Sequence, residues 1–454
     1  MERTIAKLFI ILLPLRMLSI LTPITSVFGM QAESFSVIFL VCGLLYILIS
    51  NRGRIFTRRD ANNSLFFWKM IIVFAIISII MSVYVSFRYG NYNGNSPYIA
   101  VLKLILDFIQ YGLVMIYCKR IIVCLGKEKT ADYLLVATRI PLIIGYMQIA
   151  EMLAAPVLSS VYKSLAAVLS LRTFPTQISL TFYEPSWAAM FISIIVIPIH
   201  MSRIMLLRSN KSIIELLLWL PLILMTKSTT AYILVFVSFG TAIIRMLFVN
   251  YNGRKNIKVF ALATVIIGVI ILLNIDAIDR IFGFNFSYLV LSKLTDLSNQ
   301  STASRMIPLI GNLMIFIKFP LIGCGNGLQG YFYPELISYN LYSNLSLDKN
   351  IHNMLAGTES SIPNGQLFIP GILSGYGIVG ILLFAYFIRI SLRMIKHSTG
   401  LFKEMYMIAL LPLLISGFKS EFVGILYIWF VLGLPFAISE KNNSSNEGVW
   451  VGRQ

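Results

Sequence analysis

Apolar residues run along this chain in long blocks separated by short polar or basic connections, with no alternation of apolar and polar positions. A helix needs about 20 apolar residues to cross a hydrocarbon core, and backbone groups there must pair within their own segment, so helices are expected throughout. The candidate spans run from Leu8 to Phe28 and then over 35–50, 69–87, 98–118, 133–154, 186–201, 213–226, 230–249, 259–276, 366–391, 404–418 and 421–438, twelve in all. Proline inside several (Pro141, Pro198, Pro221, Pro370) blurs their ends by a few residues. The basic start, Met1–Lys7, and the long block after it read as a retained signal anchor.

Two connections stand out by length. One covers about 155–180; the other, about 276–365, far exceeds what a helix connection needs. Inside the second, Met306–Phe319 reads as an amphipathic helix and Phe282–Leu291 is apolar, so a folded extracytoplasmic cap is expected. The expected division is a membrane body over 1–275 (about nine spans, with the outer loop 155–180), the large loop 276–365, three spans over 366–438, and a polar cytoplasmic tail over 439–454. No internal repeat is visible, which weighs against an inverted-repeat transporter.

Composition agrees with lipid as the main solvent. The chain is 57% hydrophobic and 12% charged, with a mean hydropathy of +0.82; soluble domains carry nearer a quarter charged residues. That excludes collagens, disulfide scaffolds, disordered chains and soluble multidomain enzymes. The net charge of +18 would suit nucleic acid, but its placement says otherwise. With Met1 cytoplasmic, Lys and Arg concentrate in the inside connections around 52–59, 119–129, 203–211, 254–258 and 393–403, while outside turns hold single cations such as Arg88, Lys227 and Lys419. This is the positive-inside pattern with both termini cytoplasmic, so nucleic acid is not an expected partner. Cys42, Cys118, Cys124 and Cys324 form no C-x-x-C pair and read as small apolar residues.

Candidate chemistry gathers in three places. Arg172, Tyr183, Glu184, Pro185, Ser186 and Trp187 lie where an outside segment enters a span. Glu184 there is either a carboxylate complementing the positive helix end or a group facing a polar cavity with Arg172. Ser301, Ser304 and Arg305 precede an apolar stretch, where a capped helix start beside a guanidinium could hold an anion. The turn Gly323–Gly327 follows, allowing close backbone approach. Third come His352, a base candidate at neutral pH or an inert surface histidine, and Asn364, ahead of Gly375, Gly377 and Gly380, which suit close helix packing. Ionisable residues inside spans (Arg16, Lys103, Asp107, Arg139, Glu151) are further leads, as is Lys227 at an outer helix end.

Taken in order, Arg172…Glu184-Pro185-Ser186, Lys227-Ser228-Thr229-Thr230-Ala231, Ser301…Arg305, Pro320–Gly327 and Asn364…Gly380 resemble the bacterial O-antigen and exopolysaccharide polymerase family, which includes the O-antigen ligases. The likeness covers about 170–390. It implies a fold like the C-type membrane glycosyltransferases and an active site facing outside or the periplasm at the inner membrane. It also implies glycosyl transfer from a polyprenyl-diphosphate-linked glycan to a second lipid-linked repeat unit, with no cofactor and no metal. A chain-length regulator and other polysaccharide-assembly proteins are implied partners, beside membrane lipid. On that reading Arg172, Arg305 and Lys227 bind the diphosphate, whose charge grows as it leaves. Glu184 or His352 takes the acceptor proton, and Tyr183, Ser301, Ser304 and Asn364 support them. Asn364 stands where many ligases carry His-Asn, which favours polymerase over ligase; a polysaccharide flippase is the rival from another class.

Overall fold

A computed structural model describes residues 1–15, 34–50, 58–91, 96–153, 156–169, 177–182, 184–248, 300–337, 367–420, 422 and 425–438. No strand forms among these residues. The helices are α1 (Glu2–Ile11), α2 (Ser36–Ser50), α3 (Arg58–Tyr89), α4 (Pro97–Leu125), α5 (Lys127–Met152) and α6 (Pro156–Leu169). Next come α7 (Pro185–Leu207), α8 (Asn210–Met225) and α9 (Thr229–Phe248). The rest are α10 (Gln300–Lys318), α11 (Gln329–Leu336), α12 (Phe368–Lys396), α13 (Leu401–Ser416) and α14 (Leu426–Ile438).

Among the described residues six helices are long and apolar enough to cross a membrane: Leu65–Tyr89 of α3, then α4, α5, α7, α9 and α12. The twelve crossings expected from hydropathy are therefore matched by six among the described residues, with α2, Pro308–Lys318 of α10 and α14 apolar but shorter. The expected span 259–276 lies outside the described residues. At the start of the chain the expected span Leu8–Phe28 is broken. α1 stops at Ile11 and Leu12–Pro14 turn away, because Pro14 has no N–H to continue the ladder and its ring disfavours helix in the residue before it.

Two helices form the centre. α14 is apolar on every side and buried along its whole length. It lies against α4, where Gly433 meets Met115 and Cys118 and Trp429 stacks on Tyr111 at 4.1 Å. α7 is the other, with 83% of its apolar window buried. Its middle widens into a π turn over Ile192–Val196, just ahead of Pro198, which cannot donate back to the preceding turn. The Ser193 carbonyl in that turn is recovered by α9, whose Ser238 Oγ donates to it at 2.9 Å. α13 closes the other side of α7 and α9, with Arg245 Nε 2.7 Å from Glu404 Oε2 joining α9 to α13.

Short turns make the long helices antiparallel, so Gly126, Arg208–Ser209 and His397–Gly400 fall at one end of the bundle. That end collects Arg120, Lys127, Lys129, Arg203, Lys211, Arg393 and Lys396 and is the basic end. The starts of α7, α9, α12 and α14 and the far end of α3 lie at the opposite end.

Candidate active site

Glu184 is the residue before α7, in extended conformation, and its carbonyl accepts from Trp187 N at 3.0 Å and Ala188 N at 3.2 Å. Its carboxylate makes no capping bond to the helix start; instead Oε2 accepts from Ser186 Oγ at 3.0 Å. The carboxylate is half-buried at the positive end of α7 without a capping bond, and among the described residues it accepts from the Ser186 hydroxyl.

What fixes Glu184 is the chain just before it. Residues Ile178–Phe182 are buried, although the sequence pattern put 155–180 in an outer loop. Residues 156–169 of that loop are the helix α6, whose Tyr162 and Ala166 pack against Ile144 of α5. Gln148 of α5 explains the burial of the rest. Its Oε1 accepts from Leu180 N at 2.9 Å and its Nε2 donates to Leu180 O at 3.0 Å, so one side-chain amide pairs both backbone groups of a residue in left-handed conformation, φ 59°. Thr181 Oγ1 donates to Pro14 O at 2.6 Å, and Ile178 N donates to Met225 O at 3.0 Å. A non-helical stretch is tolerated in an apolar interior only when its polar groups are paired in this way.

The bond to Met225 also locates Lys227. It lies between α8 and α9, again left-handed at φ 46°, at the same end of the bundle as Glu184. Thr229 and Thr230 beyond it are buried at the α9 start. An acid and a cation from different parts of the chain thus share one end of the α7–α8–α9 trio.

Arg305, Ser301 and Ser304, expected ahead of a helix over Met306–Phe319, fall instead within the first two turns of α10, which begins at Gln300; their side chains lie outside the described residues. Arg172, Tyr183, His352 and Asn364 also lie outside them. Convergence of Arg172 and Arg305 is therefore not on view. The main neighbours of α10 are α11 and α12, whereas α7 packs on α8, α9 and α13.

The glycine turn has a definite seat. α12 is broken at Gly377 (φ 61°, ψ −152°), and the turn after α10 fills the break. Cys324 N and Gly325 N donate to Ser374 O and Gly375 O, both at 2.9 Å; Ile378 N and Val379 N donate to Pro320 O and Leu321 O at 2.8 and 3.2 Å. Gly375, Gly377 and Gly380 were expected to serve helix packing. The first two instead admit this loop: a Cβ on Gly377 would stand 2.4 Å from Leu321 O, and one on Gly375 would stand 2.9 Å from Asn326 Cβ. The same turn reaches Ser78 of α3, whose Oγ donates to Tyr376 OH at 3.4 Å, and Gly327 meets Ala100 O of α4. Ser78 is eleven residues before the α3 end, about 16 Å along the axis, so this part of the large loop inserts between α3, α4 and α12. A buried polar cluster lines the seat: Asn312 Oδ1 accepts from Ser374 Oγ at 2.7 Å, and Gln329 Nε2 donates to Asn326 Oδ1 at 2.7 Å.

Above it, Glu335 of α11 draws three elements together. It takes Arg88 at 2.9 Å, Lys318 at 2.6 Å and a bond from the Tyr89 hydroxyl. The hydrogen bonds from Lys318 and then Tyr89 hold its carboxyl below the usual range, and Arg88 adds to the effect. Sequence reading missed Gln148, Asn312, Glu335 and Gln329. For Gln148 the available signal was an uncharged amide deep in an apolar span. Arg139, singled out from the sequence, proves to pair with Glu215 at 2.7 Å, both lining a cavity of about 230 Å3 at the basic end, and fully buried His200 sits 3.5 Å from the same carboxylate. Among the described residues no three His, Cys, Asp or Glu side chains gather as a metal site would require.

No protein-family profile matches this chain, and no curated protein or solved structure matches it either.

Proposed function

We propose that the protein is a membrane glycosyltransferase that polymerises polyprenyl-diphosphate-linked oligosaccharide repeats at the outer leaflet of a bacterial inner membrane, releasing polyprenyl diphosphate. The observation that carries this reading is the pinning of the Glu184 lead-in to the α8–α9 turn. It puts a half-buried carboxylate bonded to the Ser186 hydroxyl and the Lys227 backbone at one end of the same three helices, opposite the basic end. A carboxylate there suits removal of the acceptor proton, and cations suit the oxygens of a leaving diphosphate, whose charge grows as the glycosidic bond breaks. Arg172 and Arg305 take the guanidinium roles and His352 is the second base candidate; Tyr183, Ser301, Ser304 and Asn364 complete the site. A ligase of the same family would use the same groups on a different acceptor. For a flippase the break in α12 offers little, since the carbonyls of Ser374 and Gly375 already accept from Cys324 and Gly325.

The test is the lipid-linked glycan profile of a deletion strain complemented with single variants. Single repeat units should accumulate at the outer leaflet without the gene. Arg172→Ala and Arg305→Ala should each cut polymer yield by about 100-fold or more, the usual effect of removing one group that stabilises a developing anion. Normal polymer length and yield in both variants would end the diphosphate-clamp reading, and retention of repeats at the inner leaflet would favour a flippase.

A further inference from the structure

Away from that end, a cavity of about 240 Å3 opens at the basic end between α1, the end of α4 and the start of α5. Three cations line it: Arg3 and Lys7, four apart on one face of α1, and Lys129 in the first turn of α5. Among the described residues no carboxylate is in the lining. Of the nearest acids in the chain, Glu2 pairs with Arg120 at 3.1 Å, Asp132 pairs with Arg203 at 3.1 Å, and Glu128 is exposed on the α5 start. Lys7 Nζ lies 5.3 Å from the ring centre of Tyr133, which closes one wall.

This arrangement is unfavourable without an anion. Arg3 and Lys129 stand at helix N-termini, where the backbone dipole already presents positive charge and favours acids. The carbonyl end of α4 at Leu125 offsets only part of that. Like charges facing one cavity also repel, and no acid among the described wall residues neutralises them.

The walls say more about the occupant than its charge. Lys129, Tyr133, Val136 and Ile143 follow one another at helical spacing along a single face of α5, with Val136 37% and Ile143 61% exposed. The cationic pocket therefore continues into an apolar stripe directed along the bundle. A soluble phosphate uses the first and leaves the second bare. A molecule with a phosphate at one end and a hydrocarbon chain behind it uses both.

We propose that this pocket binds the headgroup phosphate of an anionic phospholipid in the leaflet at the basic end, with an acyl chain along the α5 stripe. The site is distinct from the candidate active site and stands whether or not the polymerase reading does.

The test uses the full-length protein in mild detergent, with bound lipid read by native mass spectrometry against an equimolar mixture of phosphatidylglycerol and phosphatidylcholine. One phosphatidylglycerol should be retained in preference. Each cation near a membrane surface contributes about 5-fold to such binding, so Arg3→Gln, Lys7→Gln and Lys129→Gln together should weaken retention by about 100-fold. The equally basic set Arg393→Gln, Lys396→Gln and Lys403→Gln should leave it unchanged. If the triple variant is not monodisperse, Lys129→Gln alone, at an exposed side chain, should lower retention about 5-fold. Equal loss in both triple sets, no loss in Lys129→Gln, or equal retention of the two lipids would overturn the proposal. So would inorganic phosphate displacing phosphatidylglycerol from the wild-type protein at equal molarity, which would mark a soluble-anion site.

Discussion

Replacing Gly377 with alanine tests the seat of the glycine turn in α12. The residue sits at φ 61° and ψ −152°, a region essentially closed to side-chain-bearing residues and costing about 1–3 kcal/mol. A Cβ there would also lie 2.4 Å from Leu321 O and 2.6 Å from Pro320 O, both backbone atoms that cannot swing aside. Relieving such overlap in a packed interior costs about another 1–3 kcal/mol. Moving the turn would further stretch the bonds from Ile378 and Val379, each worth about 1 kcal/mol. A loss of about 4 kcal/mol follows, and at about 2 °C per kcal/mol the apparent Tm should fall by about 8 °C. The assay is thermal unfolding of detergent-purified protein followed by size-exclusion profile. Two controls separate the causes. Gly126→Ala, at φ 81° and ψ 155° with nothing within 4 Å, meets only the backbone penalty of the same glycine-only region, about 1–3 kcal/mol. Gly240→Ala, in α9 with open space around it, should be neutral or gain about 0.5–1 kcal/mol. If Gly377→Ala melts with Gly240→Ala, the turn is not seated in the break and the account is wrong.

Other expectations are smaller in scope. Gln148→Leu leaves both backbone groups of buried Leu180 unpaired and should cost about 2–4 kcal/mol, lowering Tm and polymer yield together; an unchanged yield would detach this tether from the function of Glu184. Arg245→Met leaves Glu404 buried at 6% exposure and should cost about 3 kcal/mol, largely restored by adding Glu404→Met; failure of the second change to rescue would show that the pair is not the cause. The Glu335 carboxyl titrates below its ordinary value, so the clasp with Lys318 and Arg88 should be intact above the ordinary carboxylate range and weaken as pH falls through it. Melting of Glu335→Gln should accordingly depend less on acidification from about pH 5 downward than melting of the wild type, and identical pH profiles there would remove Glu335 from the account.

The helices themselves were largely legible, because hydropathy alone decides which segments prefer lipid. The expected 98–118, 230–249 and 404–418 correspond to α4, α9 and α13 with ends moved by a few residues. α3 begins at Arg58 rather than 69, since helix continues past the point where apolar character stops. The break after α1 was readable in Pro14 but was overridden by the length of the apolar block around it. Less visible were pairings set by tertiary contact. Gln148 with Leu180 is thirty-two residues apart, and Gly325 meets Gly375 across fifty; no local pattern announces either. Glu184 and Lys227 could be named as polar groups near span ends, but their sharing one end depends on the Ile178–Met225 bond, which follows from how Ile178–Phe182 is buried.

α14 comes after every other described helix in the chain and yet is sheathed by its neighbours over its full length. During synthesis the faces of α4 that carry Tyr111, Met115 and Cys118 must wait for it, touching lipid or a chaperone in the meantime. The bundle closes around the late arrival, so a chain truncated before Leu426 would keep the groove carrying Tyr111, Met115 and Cys118 but lack what fills it.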